Sequence, residues 1–167
     1  MTAQAIRIRL ATETDVDSIF QVHRNSVETL CRGDYPPEQI AMWLEGRDAS
    51  IYADAIRKQC IWVAESDQIV GFVEIEGFEV TKLFVAGDES SRGVGKRLLQ
   101  TALSRIETSG APKAYLEATL TAVKFYQKYG FHAVGQGVFT RGNSPIQLEI
   151  VKMELDFARR GSCQSPS

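Results

Sequence analysis

Gly93-Val94-Gly95, with Ser90, Ser91 and Arg92 before it and Lys96 after it, is the stretch whose residue types could hold an anion. Ahead of it, Val80 to Val85 is rich in β-branched and aromatic residues, as a strand is. Gly87 to Arg92 reads as a polar turn. Behind it, Val94, Leu98, Leu99, Ala102, Leu103 and Ile106 recur at helical spacing. A strand, a glycine-rich turn and a helix present the first N–H groups of that helix outward, with no partner inside it. Gly93 and Gly95 carry no side chain to hold a phosphate away, and Arg92 and Lys96 add positive charge. One reading is a phosphate or pyrophosphate seat on the amides of Ser91 to Lys96. A tight strand-to-helix turn with ordinary glycines fits the same residues. The GxxxxGKS/T spacing of a Walker loop is missing, and so is the GxGxxG of a dinucleotide fold.

The elements around this turn can be read in order. Ile6 to Leu10 alternates apolar and polar residues and predicts a half-buried strand. Thr12 or Thr14 can cap the next helix, with Glu13, Asp15 and Asp17 at its positive end, and apolar residues recur from Val16 to Leu30. Cys31 to Pro37 is a polar break. Glu38 to Leu44 predicts a second helix, and Ala49 to Lys58 a third helical piece. Cys60 to Ala64, Ile69 to Ile75 and Glu79 to Val85 read as strands, the first two paired as a hairpin across Ser66-Asp67-Gln68. Gly93 to Glu107 is the long helix, stopped by Gly110-Ala111-Pro112. Ala114 to Ala118 is a buried-looking strand. Thr121 is placed to cap a helix from Ala122 to Tyr129, which Gly130 ends. Strands over 131–139 and 146–155 follow, around a turn at Gly142 to Pro145. The expected organisation is one α/β domain over 1–157 and a polar tail over 158–167, with no internal repeat.

Composition narrows the function classes. The chain has 167 residues, 44% of them hydrophobic, enough for a sizeable core, and its net charge is −2. No lysine- and arginine-rich run suggests a nucleic-acid partner. No apolar run reaches the roughly 18 residues of a membrane span. Met1 to Arg9 lacks the apolar core of a signal peptide, so the expected location is cytoplasmic. Three cysteines, Cys31, Cys60 and Cys163, stand far apart, and there are only two histidines, so no metal site is expected.

Two motifs resemble one family. Leu83-Phe84-Val85 followed by Ser90-Ser91-Arg92-Gly93-Val94-Gly95 resembles the acetyl-CoA-binding motif of the GNAT superfamily of N-acetyltransferases, Q/R-x-x-G-x-G/A after a strand. Ala122 to Phe131 resembles that superfamily's A-x-x-F-Y-x-x-x-G-F segment. The motifs lie about 30 residues apart, and the order of elements matches from Ile6 to Leu155. The resemblance implies a mixed, mostly antiparallel sheet of about seven strands flanked by helices, in the order β-α-α-β-β-β-α-β-α-β-β. It departs from the family at Ser90, where Gln or Arg is usual, and at Thr119 and Thr121, where an asparagine often contacts the pantetheine arm.

The implied reaction is acetyl transfer from acetyl-CoA to an amine of a small molecule or peptide, by direct attack in a ternary complex. Ser90 to Lys96 would hold the diphosphate. Leu83, Phe84 and Val85 would offer backbone groups to the pantetheine, with an amide of Phe84 or Val85 for the oxyanion. Thr119 or Thr121 would take the asparagine's place, and Phe125 belongs to the cofactor-binding segment. Tyr126 stands where the family has its general acid, and a phenol of pKa about 10 can protonate a thiolate formed in a dry site. Tyr129 is the alternative. Glu79 matches a glutamate many members carry and is the candidate base, with Glu74, Glu76 or water as alternatives. Strand alternation would put Glu79, Thr81 and Leu83 on one face. The acceptor would meet the region from His23 to Trp43, where Arg24, Arg32, Asp34, Tyr35 and Trp43 could line a pocket, with His23 itself read as a packing residue. A homodimer is expected only because two-fold dimers are the commonest oligomers. The rival readings are a non-catalytic acyl-CoA-binding module on the same scaffold and a nucleotide-phosphate-binding domain.

Overall fold

The computed structural model describes residues 5–30, 33, 35–44, 49–86, 93–139 and 148–158. Its elements are β1 (Arg7–Leu10), α1 (Val16–Leu30), α2 (Pro37–Leu44), α3 (Ala53–Arg57), β2 (Ile61–Glu65), β3 (Ile69–Glu76), β4 (Glu79–Val85), α4 (Val94–Thr108), β5 (Lys113–Thr119), α5 (Val123–Lys128), β6 (His132–Phe139) and β7 (Leu148–Asp156). The strands form one seven-stranded sheet in the order β1-β2-β3-β4-β5-β7-β6. Neighbours are antiparallel except β4 and β5, which run parallel. This is the mixed, mostly antiparallel sheet the sequence predicts.

The two faces of the sheet follow from strand alternation. On β5, Ala114, Leu116 and Ala118 are buried toward α4, and Tyr115 and Glu117 point the other way. On β3, Val73 packs with α4, and Phe72 packs with α1. The apolar stripe of α4, from Val94 to Ile106, is almost completely buried, which is why this amphipathic segment forms a long helix against the sheet. A smaller apolar cluster of Ile19, Val22, Tyr52, Ile56, Ile61 and Phe72 joins α1, α3 and the opposite face.

One local expectation is refined, one is corrected, and two fall outside the described residues. The piece from Ala49 to Lys58 is a 3-10 turn at Ala49–Tyr52 followed by the five-residue α3. Thr121 does not cap α5: it lies inside a 3-10 turn, Leu120–Ala122, and Ala122 holds the N-cap position. That extra turn fills the tight passage from β5 into α5. The turn at Gly142 to Pro145 and the tail after Ala158 lie outside the described residues.

Candidate active site

β4 and β5 pair for only two positions, Glu79 with Tyr115 and Val80 with Leu116. Beyond them β4 runs on to Val85 and β5 to Thr119 without pairing. The strands part, and a cleft of about 260 Å³ opens between 79–84 of β4 and 116–119 of β5. Ala122 and Tyr126, Leu148 and Ile150 of β7, His23 of α1, and Tyr35 complete its lining.

The cause of the parting is local. The β3–β4 register steps from Glu74–Lys82 to Ile75–Val80, so Thr81 is an extra residue with no partner in the ladder. Such a bulge bends and twists its strand. Glu74 fastens it: its Oε2 accepts from Thr81 Oγ1 at 2.6 Å and from Lys82 Nζ at 2.8 Å. Thr81 Oγ1 also lies 3.2 Å from the Glu74 carbonyl oxygen. Lys82 sits over the Tyr52 ring, 5.9 Å from its centroid, and Tyr52 Oη bonds His23 Nδ1. The His23 ring stacks on Phe84 at a centroid distance of 4.5 Å. The bulge also changes which side chains share a face. Val80 and Leu83 both pack toward α4, although three residues apart, whereas Glu79 lies opposite Glu76 and Lys82 opposite Glu74 on the α1 side. The expectation that Glu79 and Leu83 share a face is therefore overturned by one inserted residue.

Past the bulge the ladder is regular. Ala86 N donates to Val70 O at 2.8 Å. N–H directions alternate along a strand, so the amide of Phe84 also faces β3, and those of Leu83 and Val85 face the gap. Of the two residues considered for an oxyanion contact, Val85 has its amide on the open edge and Phe84 does not.

α4 starts from Gly93, whose φ of 76° is left-handed and suits glycine. The N–H groups of Val94, Gly95 and Lys96 precede the first intrahelical bond, from Arg97 N to Gly93 O at 3.2 Å. Gly95 also serves packing, beside leaving its own N–H at the start of the helix. A β-carbon there would stand 3.2 Å from Phe125 Cζ and 3.7 Å from Val85 Cγ2, so the missing side chain lets α4 and α5 approach. Phe125 is the α5 side of that contact. Ser90, Ser91 and Arg92 lie outside the described residues, as do Arg32 and Asp34. So does the side chain of Trp43.

Tyr126 is 6% exposed, edge-to-face with Phe125 and Phe131, and lines the cleft. Its hydroxyl makes no hydrogen bond among the described residues. Burial pushes its pKa well above that of an ordinary phenol, so it stays protonated and able to donate. Tyr129 packs on Phe125 and is not part of the cleft lining. Among the glutamates, Glu79 lines the cleft, Glu74 is held by Thr81 and Lys82, and Glu76 is exposed. Burial raises the Glu79 pKa, and Glu117 and Glu76 raise it further, against Lys82. Thr119 lines the cleft; Thr121 is exposed and is not in the lining.

Tyr35 is 4% exposed and lines the cleft; its hydroxyl donates to Glu149 O and accepts from Leu120 N, both at 2.8 Å. Arg24 instead pairs with Glu28 on the surface at 3.3 Å. Glu117 was missed by sequence reasoning. The strand Ala114 to Ala118 reads as buried, but alternation leaves Tyr115 and Glu117 on its other face, and Tyr115 Oη donates to Glu117 Oε2 at 2.9 Å. Burial first, and then Glu117, push the Tyr115 pKa up to about 12.

Known proteins match both the sequence and the fold. The family description "Acetyltransferase (GNAT) domain" matches residues 31–156. The peptidyl-lysine N-acetyltransferase YjaB of Salmonella typhimurium is 29% identical over 145 residues, covering 86% of this chain and 94% of that protein. A GCN5-related N-acetyltransferase from Rhodopseudomonas palustris superposes with a TM-score of 0.85 at 23% identity, covering 93% of this chain and 98% of that one. The PaiA N-acetyltransferase of Thermoplasma acidophilum, solved in complex with coenzyme A, superposes with a TM-score of 0.74 at 22% identity over 91% of this chain and 99% of that one. Among the described residues no helix is long and apolar enough to cross a membrane.

Proposed function

We propose, from the premise that this chain belongs to the GNAT acetyltransferase family, that it carries the acetyl group of acetyl-CoA to a primary amine, by direct attack within the β4–β5 cleft. The observation that carries this reading is that the open edge of β4 and Tyr126, whose hydroxyl is unpartnered among the described residues, line the same cleft. The coenzyme A bound to the PaiA relative supports the choice of donor. The name of YjaB supports a lysine side chain in a peptide as the acceptor class, with small amines of the same chemistry beside it.

The residues present fit acetyl-CoA. The amides of Val94, Gly95 and Lys96 would hold its diphosphate, and Lys96 would add charge. The edge formed by Leu83 and Val85 would pair with the pantetheine amides as an added strand does. Acetyl-CoA supplies an activated acetyl group on sulfur. Glu79, half-buried and with its pKa raised, would take the proton of the incoming ammonium, leaving a lone pair on nitrogen. The nitrogen then bonds to the carbonyl carbon while the Val85 amide stabilises the oxyanion. As the carbon–sulfur bond breaks, Tyr126 would give its proton to the departing sulfur, and the second proton leaving the nitrogen would return to the Tyr126 phenolate, directly or through water. A high phenol pKa suits this step, because the same dry surroundings raise the basicity of the thiolate.

The test is thiol release over a panel of amines, with Tyr126→Phe beside the wild type. The expected loss in kcat is about ten- to a thousandfold, the range of acid–base contributions, with acetyl-CoA affinity near normal. An unchanged kcat removes Tyr126 from the mechanism. Coenzyme A binding with no thiol released from any amine overturns the transfer reading.

A further inference from the structure

Glu117 has no part in the mechanism above, and the charge along the cleft gives it one. Among the described residues, Glu79, Glu117 and Lys82 are the Asp, Glu, Lys or Arg side chains on the cleft lining. Lys82 is engaged by Glu74 at 2.8 Å. Neither Glu79 nor Glu117 has an ion pair among the described residues. Lys152 stands opposite Glu117 in the β5–β7 register without reaching it as an ion pair, and Lys113 is paired with Glu154 at 3.2 Å. Glu76, opposite Glu79 on β3, adds negative charge. Tyr115 is the register partner of Glu79 and donates to Glu117, so the three side chains rise from one face of the sheet. The same cleft holds a second sign of a ligand: Tyr126, a side chain 6% exposed, lines it, and its hydroxyl has no hydrogen-bond partner among the described residues.

We propose that the cleft selects an acceptor with two positive charges, the ammonium to be acetylated at Glu79 and a second cation at Glu117, whose carboxylate Tyr115 holds in place. The inference rests on the cleft being the transfer site. A monoamine pairs with one of two carboxylates that have no ion pair among the described residues, a dication pairs with both, and an anionic acceptor adds a like charge. The chemistry fits an alkyl diamine or a lysine beside a basic residue in a peptide. Glu117 is exposed at the rim, so its effect is largest at low ionic strength and fades with salt.

The experiment compares 1,5-diaminopentane, 5-aminopentan-1-ol and 6-aminohexanoate, which keep the amine and change the distal charge. Capped Lys-Arg and Lys-Gly dipeptides separate a peptide acceptor from a free diamine. At low salt, kcat/KM falls in the order diamine, amino alcohol, amino acid, with about tenfold between the first two. Glu117→Gln shrinks that ratio to under about twofold, through the acceptor KM and not through kcat. Tyr115→Phe moves it in the same direction by less. Equal kcat/KM for the three probes, or a preference that survives Glu117→Gln, overturns the proposal. Calorimetric binding of 1,5-diaminopentane to the coenzyme A complex reads the same preference without turnover. Failure of thiol release with charge selection intact therefore strikes the transfer reading and not this one.

Discussion

On one side of the sheet α4 lays Leu98, Leu99, Ala102, Leu103 and Ile106 against Val73, Val80, Ala114 and Leu116, each no more than 4% exposed. On the other, α1 and the segment before α3 lay His23 and Tyr52 against Phe72, Phe84, Glu74 and Lys82. Among the described residues the buried side chains of the first face are apolar apart from the Trp62 indole N–H and the Tyr126 hydroxyl. The second mixes rings with a buried carboxylate, an ammonium and an imidazole, each placed against a partner. Buried polar groups carry a desolvation cost that their partners offset. The α4 face holds the sheet together, and the α1 face fixes the bend in β4 from which the cleft opens.

The largest effect that sharpens this contrast is in stability alone. Leu103 is 2% exposed in the middle of the α4 stripe. Leu103→Ala is expected to cost about 2–5 kcal/mol in chemical denaturation, with kcat per folded molecule unchanged. A loss below about 1 kcal/mol would mean that the α4 face collapses onto the gap and is not the tightly packed side.

Glu74→Gln tests the other face. Gln keeps the shape and one acceptor oxygen but gives Lys82 no opposite charge. The expected cost is about 1–3 kcal/mol, the scale of a charge-assisted bond in a part-buried site. Unlike Leu103→Ala, it should also slow thiol release per folded molecule, because the carboxylate fastens Thr81 in the bulge. Stability lost with full turnover would show that the bulge holds without its clasp.

Much of the α4 face was legible in the sequence. A period near 3.6 from Val94 to Ile106, and alternation in Ala114-Tyr115-Leu116-Glu117-Ala118, depend only on which residues are apolar. The bulge was not legible. One extra residue in Glu79 to Val85 leaves the composition of a strand intact and shows only in the register against β3. The place of β7 between β5 and β6 was likewise hidden, because strand order follows from tertiary pairing and not from local pattern. Tyr126 was read from a motif and Glu79 from a match to the family. Glu117 carried a visible signal, a charged residue two places from a tyrosine in the otherwise apolar run from Ala114 to Ala118. The second use of Gly95 was not legible, because only the tertiary packing shows that its absent side chain admits Phe125.

The smallest expected effect sits at the edge of the α1 face, where β1 meets the turn into α1. Asp15 accepts from Arg9 Nη1 at 2.9 Å, Arg9 Nη2 at 3.0 Å and the Thr12 amide at 2.7 Å. The Arg9 hydrogen bonds hold its pKa below the ordinary carboxylate value, against the opposing effect of burial, with Thr12 assisting. A carboxylate whose folded pKa is lowered stabilises the fold fully above its unfolded value of about 3.9. That contribution is lost as pH falls toward the folded value, because in this window the unfolded chain binds the extra proton. Asp15→Asn should therefore cost about 1 kcal/mol near neutral pH, the scale of a lost helix cap. It should also flatten the acid limb of stability below pH about 4. Glu65, which also accepts from Arg9 and has a lowered pKa, remains to bend that limb. A curve for Asp15→Asn parallel to the wild type would assign the acid response of this edge to Glu65, and the α1 face would then be tied to β1 by its strand partner and not by its helix cap.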